Sequence, residues 1–429
     1  MKHERFIYHG YTIDSNGFEF HFSMDEYEFR PKWQCAVPLA EDATLRELVF
    51  NLGMVELISY WKAACPPVVE VRCGCLSEWQ VNWWKKLYRN GLGEFFYVNN
   101  IVADDDFMTI EACAASVAPL PHSTTPRKLS GCLIPVGGGK DSIVTLELLA
   151  AEREQNCCYI AGDIKRAYDS AKVAGYPDSR IIQVNRTIDS TLLELNKKGY
   201  LNGHTPFSAV IAFSSLIFAY VTGKKYIVLS NESSANEGNV NNSDVNHQYS
   251  KSTEFERDFR EYIAKTSVGI EYFSFLRPLN ELQITQKFTR FPKYFPIFQS
   301  CNVGTKTNTW CCKCAKCLYV YVMLAAFLDD SDLEKIFSGE NLLNNPDLAI
   351  TLNALANPSH DKPFECVGTR KEVKHAIYMA VQRRIGKLPL LLEQYADGET
   401  LTDYESSELL SFFDSEHFVP QEFLPLLKI

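Results

Sequence analysis

The stretch that most constrains this chain lies at residues 134–142, which read Ile-Pro-Val-Gly-Gly-Gly-Lys-Asp-Ser. A short apolar run leads into it, and Ile143-Val-Thr-Leu-Glu-Leu-Leu follows with helical spacing. Strand, glycine turn and helix start make the geometry that holds phosphate. Glycines let the main chain approach an anion closely, and free N–H groups at the helix start point towards it. The spacing is neither GxxxxGK[ST] nor GxGxxG, so the two common nucleotide loops are not the ones present. The expected anion-binding residues are Gly137, Gly138, Gly139, Lys140, Asp141 and Ser142.

From Leu129 onwards strands and helices alternate. Strands are expected over 131–136, 157–161, 180–184, 226–230 and 272–276. Helices are expected over 143–153, 164–173, 190–198, 207–221 and 254–265. Such alternation predicts an α/β fold with a doubly wound parallel sheet and a ligand at the carboxyl ends of the strands. Residues 1–125 read as a mixed α/β domain. There, Tyr11-Thr-Ile-Asp and Phe18-Glu-Phe-His-Phe alternate with period two as in a hairpin, and helices are expected over 45–64 and from Trp79 to Gly91. The connector Pro119-Leu-Pro-His-Ser-Thr-Thr-Pro126 marks the boundary to a domain over 126–330. Residues 331–429 read as a helical C-terminal region, with helices over 332–337, 347–355, 371–384 and 402–413.

Composition narrows the class. The chain has 429 residues, 46% of them hydrophobic and 13% aromatic, enough for a large packed core. Its net charge is −10, with no basic tail and no long run of like charge, so a broad grip on nucleic acid is not expected. The first residues, Met-Lys-His-Glu-Arg-Phe, carry no apolar signal core. No charge-free apolar stretch reaches the ~18 residues that span a bilayer. No membrane partner and a cytoplasmic location are the expectations.

Fourteen cysteines are read as metal ligands and buried core residues rather than as a disulfide framework. Nine are scattered: Cys35, Cys65, Cys73, Cys75, Cys113, Cys132, Cys157, Cys158 and Cys366. The others cluster. Cys311, Cys314 and Cys317 form two overlapping Cys-x-x-Cys steps, and Cys301 supplies a fourth thiolate, leaving Cys312 spare. Four thiolates complete a tetrahedral zinc shell with no open position for water, which makes the site structural; an iron–sulfur cluster is the other occupant of such a set.

Leu229-Ser-Asn-Glu-Ser-Ser-Ala-Asn-Glu follows a predicted strand, so Asn231, Glu232, Asn236 and Glu237 emerge at the ligand edge. Carboxylates there would hold Mg²⁺ bridging phosphates. Two polar loops sit on the same side. Asn202-Gly-His-Thr-Pro-Phe-Ser carries His204, and Val245-Asn-His-Gln-Tyr-Ser-Lys-Ser carries His247, Tyr249 and Lys251. Histidine titrates near neutrality, so these loops can supply acid–base groups.

The glycine loop resembles the SGGxDS pyrophosphate loop of the N-type ATP pyrophosphatases (PP-loop proteins), which cleave ATP between the α and β phosphates and form adenylates. Gly137 stands where that family usually has Ser. The order of loop, Ser-Asn-Glu strand end and Cys-x-x-Cys-x-x-Cys finger is similar to the 7-cyano-7-deazaguanine synthases. Whole segments resemble a further family. Leu57-Ile-Ser-Tyr-Trp-Lys-Ala, Gly91-Leu-Gly-Glu-Phe-Phe-Tyr, Val136-Gly-Gly-Gly-Lys-Asp-Ser and the three loop segments at 202, 230 and 245 look like the ATP-dependent UDP-N-acetylmuramoyl-L-alanyl-L-glutamate epimerases, over residues 50–330.

That resemblance implies a chemistry. ATP and Mg²⁺ adenylate the α-carboxylate of the terminal L-Glu and release pyrophosphate. A base removes the α-proton, an acid returns one on the opposite face, and hydrolysis gives D-Glu and AMP, in peptidoglycan precursor synthesis. His204, His247 and Lys251 are the candidates for base and acid; Glu232 or Glu237 could serve instead, and the sequence does not choose among them. The competing reading is a carboxylate-adenylating amide- or nitrile-forming synthase.

Overall fold

The computed structural model describes residues 3–114, 128–240, 245–266, 268–396 and 403–428. The connector at 119–126, with the boundary expected there, and Thr402 lie outside the described residues.

The alternating N-terminal segments pair as an antiparallel hairpin of β1 (Arg5–Asp14) and β2 (Gly17–Met24). After β3 (Tyr27–Phe29) and β4 (Lys32–Cys35) comes α1 (Ala43–Trp61), buried along nearly its whole length. Next are β5 (Val68–Leu76), α2 (Glu78–Gly91), α3 (Gly93–Val98) and β6 (Thr109–Ala114). Ser77 and Gln80 start α2 with a capping box, each side chain bonding the other's backbone N–H.

The alternation read from the sequence then appears in order: β7 (Cys132–Pro135), α4 (Lys140–Leu148), β8 (Cys157–Ala161), α5 (Lys165–Val173), β9 (Ile181–Thr187), α6 (Ser190–Lys197), α7 (Phe207–Thr222), β10 (Tyr226–Leu229), α8 (Thr253–Ala264) and β11 (Glu271–Ser274). The remainder is helical: α9 (Glu281–Phe288), α10 (Ala315–Ala325), α11 (Asp330–Ile336), α12 (Ala349–Ala356), α13 (Arg370–Arg383), α14 (Leu390–Ala396), α15 (Asp403–Ser411) and α16 (Leu424–Leu427).

The strands form one sheet in the order β11-β10-β7-β8-β9-β4-β2-β1-β5-β6, with β3 on β2. The half from β11 to β9 is parallel throughout. The chain starts that half at β7, winds outward through β8 and β9, then returns to the other side of β7 for β10 and β11. The strand order therefore reverses between β7 and β10, and a crevice opens at their carboxyl ends.

Period two divides the strand side chains between two cores. Leu133, Tyr159, Ile227 and Tyr272 face the core of α1, α2, α7 and α8. Ile134, Cys158, Val228 and Phe273 face the core of α4, α5, α9, α10 and α13. Helices thus cover both faces, and α7, apolar on all sides, is buried in the first core.

The segment read as an N-terminal domain shares this sheet. β4 pairs antiparallel with β9, setting Cys35 opposite Val184. Across the same seam, fully buried Glu56 of α1 lies 2.8 Å from Arg186 of β9, which also donates to Ser59 Oγ. One scattered-cysteine expectation is corrected. Cys75 and Cys113 form a disulfide, because parallel β5 and β6 set them in register with Cα atoms 4.5 Å apart. Among the other scattered cysteines, Cys132, Cys157 and Cys158 are buried, while Cys35, Cys65, Cys73 and Cys366 are only partly so.

Candidate active site at the strand-order reversal

The glycine loop leaves β7 at the reversal and ends at the start of α4. Gly138 has φ +80°, and a Cβ there would lie 2.5 Å from Arg166 Cγ and 2.8 Å from the Ala167 backbone nitrogen. Only glycine fits that approach. Gly137 faces open space, with nothing within 4 Å of its would-be Cβ. No side chain caps the start of α4 at Gly139, so its first N–H groups keep their capacity for an anion. Ser142 Oγ donates to the Gly139 carbonyl (3.0 Å).

Lys140, expected in the phosphate cradle, is buried, and its ammonium pairs with Asp141 and with Glu281 at the start of α9. Glu281 was not anticipated; an Asn-x-x-Gln capping box, Asn280 with Gln283, sets it in that first turn. Glu232, from the loop after β10, completes a buried carboxylate group, and Asn231 donates to Ser274 Oγ (3.0 Å). Burial pulls the Lys140 ammonium down, and Asp141 and Glu281 more than offset it, so it keeps its proton. Burial raises Asp141 too, but Lys140 outweighs it and holds that carboxyl low. Glu281 is pushed up to about 7 by burial and by Asp141 and Glu232. Glu232 is raised by burial and by Asp141. The Tyr319 hydroxyl, fully buried among the same carboxylates, has no hydrogen-bond partner among the described residues.

Two residues hold the reversal-point loops together, and neither was singled out in the sequence. Arg277, buried with Glu256 3.2 Å away, donates to the Glu232 and Lys251 carbonyls. Glu372 of α13 accepts from Ser234 Oγ (2.6 Å), the Glu281 N–H (2.7 Å) and the Thr369 N–H and hydroxyl (2.6 Å each). The Thr-x-x-Glu box at Thr369–Glu372 was a legible helix start, but its other bonds are tertiary. Glu237 and Asn236 turn away from this group: Glu237 pairs with Lys362 (2.8 Å), and Asn236 donates to Thr253 (3.0 Å).

A second cluster gathers the two histidine loops. The His204 and His247 rings lie 4.4 Å apart, and Glu94 at the start of α3 bonds His247 Nδ1 and lies 3.5 Å from His204 Nδ1. Cys366, from the loop before α13, neighbours His247, and its Sγ lies 3.2 Å from Lys251 Nζ. Burial would lower His247, but the Cys366 and Glu94 hydrogen bonds outweigh it and carry it to about 9. Burial raises the Cys366 thiol, and Lys251, the His247 bond and Lys316 outweigh that, bringing it to about 5. Burial, His247 and Lys62 lower His204 to about 3, leaving it neutral. Lys251 lies between the clusters: burial lowers its ammonium, and Cys366, Glu232 and Asp141 raise it above its ordinary range. Cys366 belongs to no spacing pattern, and Glu94 stood out only as part of the segment Gly91-Leu-Gly-Glu-Phe-Phe-Tyr, with no role attached.

The four cysteines meet at the reversal as well. Cys301, Cys311, Cys314 and Cys317 place their sulfurs within 4.8 Å of one another, with Cys314–Cys317 at 3.5 Å, Cys311–Cys317 at 3.6 Å and Cys301–Cys314 at 4.0 Å. A tetrahedron of bonds of ~2.3 Å has sulfurs ~3.8 Å apart, so the set fits a metal ion. Cys312 turns aside at φ +55°. The Gln299 N–H donates to the Gly138 carbonyl (3.0 Å), and Arg166 bridges Gln299 and the Gly137 carbonyl. The cluster thereby braces the glycine loop.

A doubly wound sheet with a glycine loop at its reversal point, beside a thiol flanked by an ammonium and an imidazole, defines an α/β protein with the makings of an enzyme site there. The chain belongs to the UDP-N-acetyl-alpha-D-muramoyl-L-alanyl-L-glutamate epimerase family. The family's MurL N-terminal domain matches residues 1–275 and its MurL C-terminal domain residues 297–402. The epimerase of that name from Xanthomonas oryzae pv. oryzae is 32% identical over 396 residues, covering 89% of this chain and 85% of its own. Those of a Micromonospora strain and of Salinispora tropica are each 32% identical, covering 80% and 77% of this chain and 76% and 72% of theirs. No solved structure matches. Among the described residues no helix is long and apolar enough to cross a membrane.

Proposed function

We propose that this protein epimerises the terminal L-Glu of UDP-N-acetylmuramoyl-L-Ala-L-Glu to D-Glu in peptidoglycan precursor synthesis in the cytoplasm, at the expense of ATP cleaved to AMP and pyrophosphate. The observation that carries the reading is the Arg277 link between two groups of side chains. Arg277 ties Glu232, in the carboxylate group next to the glycine loop, to Lys251 of the thiol–imidazole–ammonium cluster, so a carboxylate activated at a PP-loop-like cradle would lie beside proton-transfer groups.

An α-proton beside a carboxylate is only weakly acidic, because the carbanion left behind would sit next to a negative charge. Adenylation cancels the carboxylate charge and leaves a carbonyl that accepts the electron pair. Gly137, Gly138, Gly139 and the N–H groups at Lys140, Asp141 and Ser142 would receive the phosphates. Mg²⁺, when bound, supplies positive charge across the phosphate oxygens. Asp141 and Glu232 are its expected ligands: they repel each other in a buried site where Lys140 faces three carboxylates, and the Tyr319 hydroxyl beside them is unpartnered. Zinc suits the four-thiolate shell and would supply folding energy there.

Incubation with ATP, Mg²⁺ and the UDP-linked dipeptide in deuterium oxide tests the reading. D-Glu with α-deuterium, AMP and pyrophosphate are expected. ADP and phosphate as products would overturn it, as would an amide formed from added ammonia without exchange.

A further inference from the structure

We propose that Cys366 and Lys251 are the two-sided proton-transfer pair of the epimerisation, Cys366 taking the α-proton of the activated L-glutamyl residue and Lys251 returning one to the opposite face. The inference rests on the reading above and adds the residues that perform its second step.

Cys366 Sγ sits 3.2 Å from Lys251 Nζ and neighbours His247, whose charge acts on it, and His247 is in turn held by Glu94. Base, orienting imidazole and carboxylate thus stand in line, the arrangement that keeps a nucleophile or base ionised. His247 Nδ1 is committed to Glu94, and His204 is neutral beside another imidazole, so neither histidine presents a free basic nitrogen backed by a carboxylate of its own. Cys366 and Lys251 are both partly exposed, so a substrate can reach them. Arg277 bonds both the Glu232 and the Lys251 carbonyls, which puts Lys251 on the side of the carboxylate group, where the adenylate would form. Its carbonyl is clamped by Arg277, which fixes the backbone from which the side chain reaches Cys366.

The step balances without a further reactant. The α-carbon enters between Sγ and Nζ and parts them. The C–H bond breaks, its proton joins sulfur, and its electron pair moves onto the acyl carbonyl. Protonation of sulfur removes the charge that stabilised the ammonium, so Lys251 becomes a stronger acid at the moment it is needed. A new C–H bond then forms on the opposite face with a proton from Nζ. After hydrolysis and release, thiol and amine close on each other, and one proton transfer restores thiolate and ammonium.

The test uses the full chain with MgATP and the UDP-linked dipeptide in deuterium oxide, following pyrophosphate and α-deuterium separately in L-Glu and D-Glu. The wild type is expected to give deuterated D-Glu and protiated residual L-Glu. Cys366→Ser is expected to release pyrophosphate while exchange falls about 10²–10⁴-fold in both epimers. Lys251→Gln is expected to place deuterium in recovered L-Glu, because sulfur returns an exchanged proton to the same face, and to make no D-Glu. Wild-type exchange in Cys366→Ser, or deuterated D-Glu from Lys251→Gln at the wild-type rate, overturns the proposal. So does a metal ion, beyond that of the four-cysteine cluster, lost with His247→Gln. Absence of pyrophosphate from the wild type would refute the function reading instead. Should either variant fail to release pyrophosphate, iodoacetamide labelling of the wild type decides. Cys366 is expected to react ahead of Cys35 and to be protected by substrate; equal labelling, or none of that protection, overturns the assignment.

Discussion

Adjacent glycines in the loop after β7 should respond oppositely to substitution. At Gly138 an L-residue meets two penalties. Its φ of +80° lies in the left-handed region, at about 1–2 kcal/mol. Its Cβ would also sit 2.5 Å from Arg166 Cγ and 2.8 Å from the Ala167 nitrogen. The second neighbour is backbone at the start of α5 and cannot swing away, so overpacking adds about 1–3 kcal/mol. Gly138→Ala is expected to destabilise the protein by about 2–5 kcal/mol and, at this chain length, to lower Tm by about 2–6 °C. The shift should also reach catalysis, because the Gly138 carbonyl accepts the Gln299 N–H that ties the loop to the cysteine cluster. Gly137→Ser is the control: no atom lies within 4 Å of the new Cβ, so stability should change by less than about 0.5 kcal/mol and pyrophosphate release should persist. Calorimetry and a pyrophosphate assay on the two variants decide the matter. Gly138→Ala with wild-type Tm and rate would refute the argument.

Further expectations concern the metal, the carboxylates and pH. One zinc per chain should be found by elemental analysis, and Cys314→Ser should lose it and lower Tm, since the cluster braces the loop; metal-free protein of unchanged Tm would count against this. Asp141→Asn should abolish pyrophosphate release while leaving the fold intact by circular dichroism; release at the wild-type rate would remove Asp141 from the ATP site. The His247–Cys366 pair should stabilise the fold within a bounded pH window. His247 is raised from 6.5 to about 9, so its contribution is full below 6.5 and lost as pH rises through 9; Cys366 is lowered from 9.0 to about 5, so its contribution is full above 9 and lost as pH falls through 5. The Tm gap between wild type and His247→Gln should therefore narrow above about pH 9 and below about pH 5, and a gap independent of pH would show that the pair is not ionised.

The parallel half of the sheet was legible because each strand there is a short apolar run closed by a turn and followed by a helix with its own start signal. β8 spans Cys157–Ala161 and α2 ends at Gly91, both as expected. The carboxylate Glu232 and both histidines were legible as polar loops at strand ends. Glu94, Cys366, Glu281 and Glu372 were not. Each stands in a segment whose local pattern says only helix start or loop, and its partners are distant in sequence: Glu94 bonds His247, and Cys366 contacts Lys251.

By itself the sequence determined the local geometry: the glycine loop at Gly137 to Gly139, the four-cysteine spacing, and the periodicities that separate strand from helix. These depend on steric and hydrogen-bonding rules acting over a few residues. Tertiary structure decided what the chain does with them. It joined the N-terminal strands to the parallel half through β4 and β9, paired Cys75 with Cys113, and turned Lys140 into a carboxylate cluster instead of the open cradle. It also made an ionised thiol of Cys366, which in sequence is one scattered cysteine among nine. The physical reason is the range of the forces: the charge state of a partly buried group depends on every charge the fold brings near it, and that set is assembled only when distant segments pack.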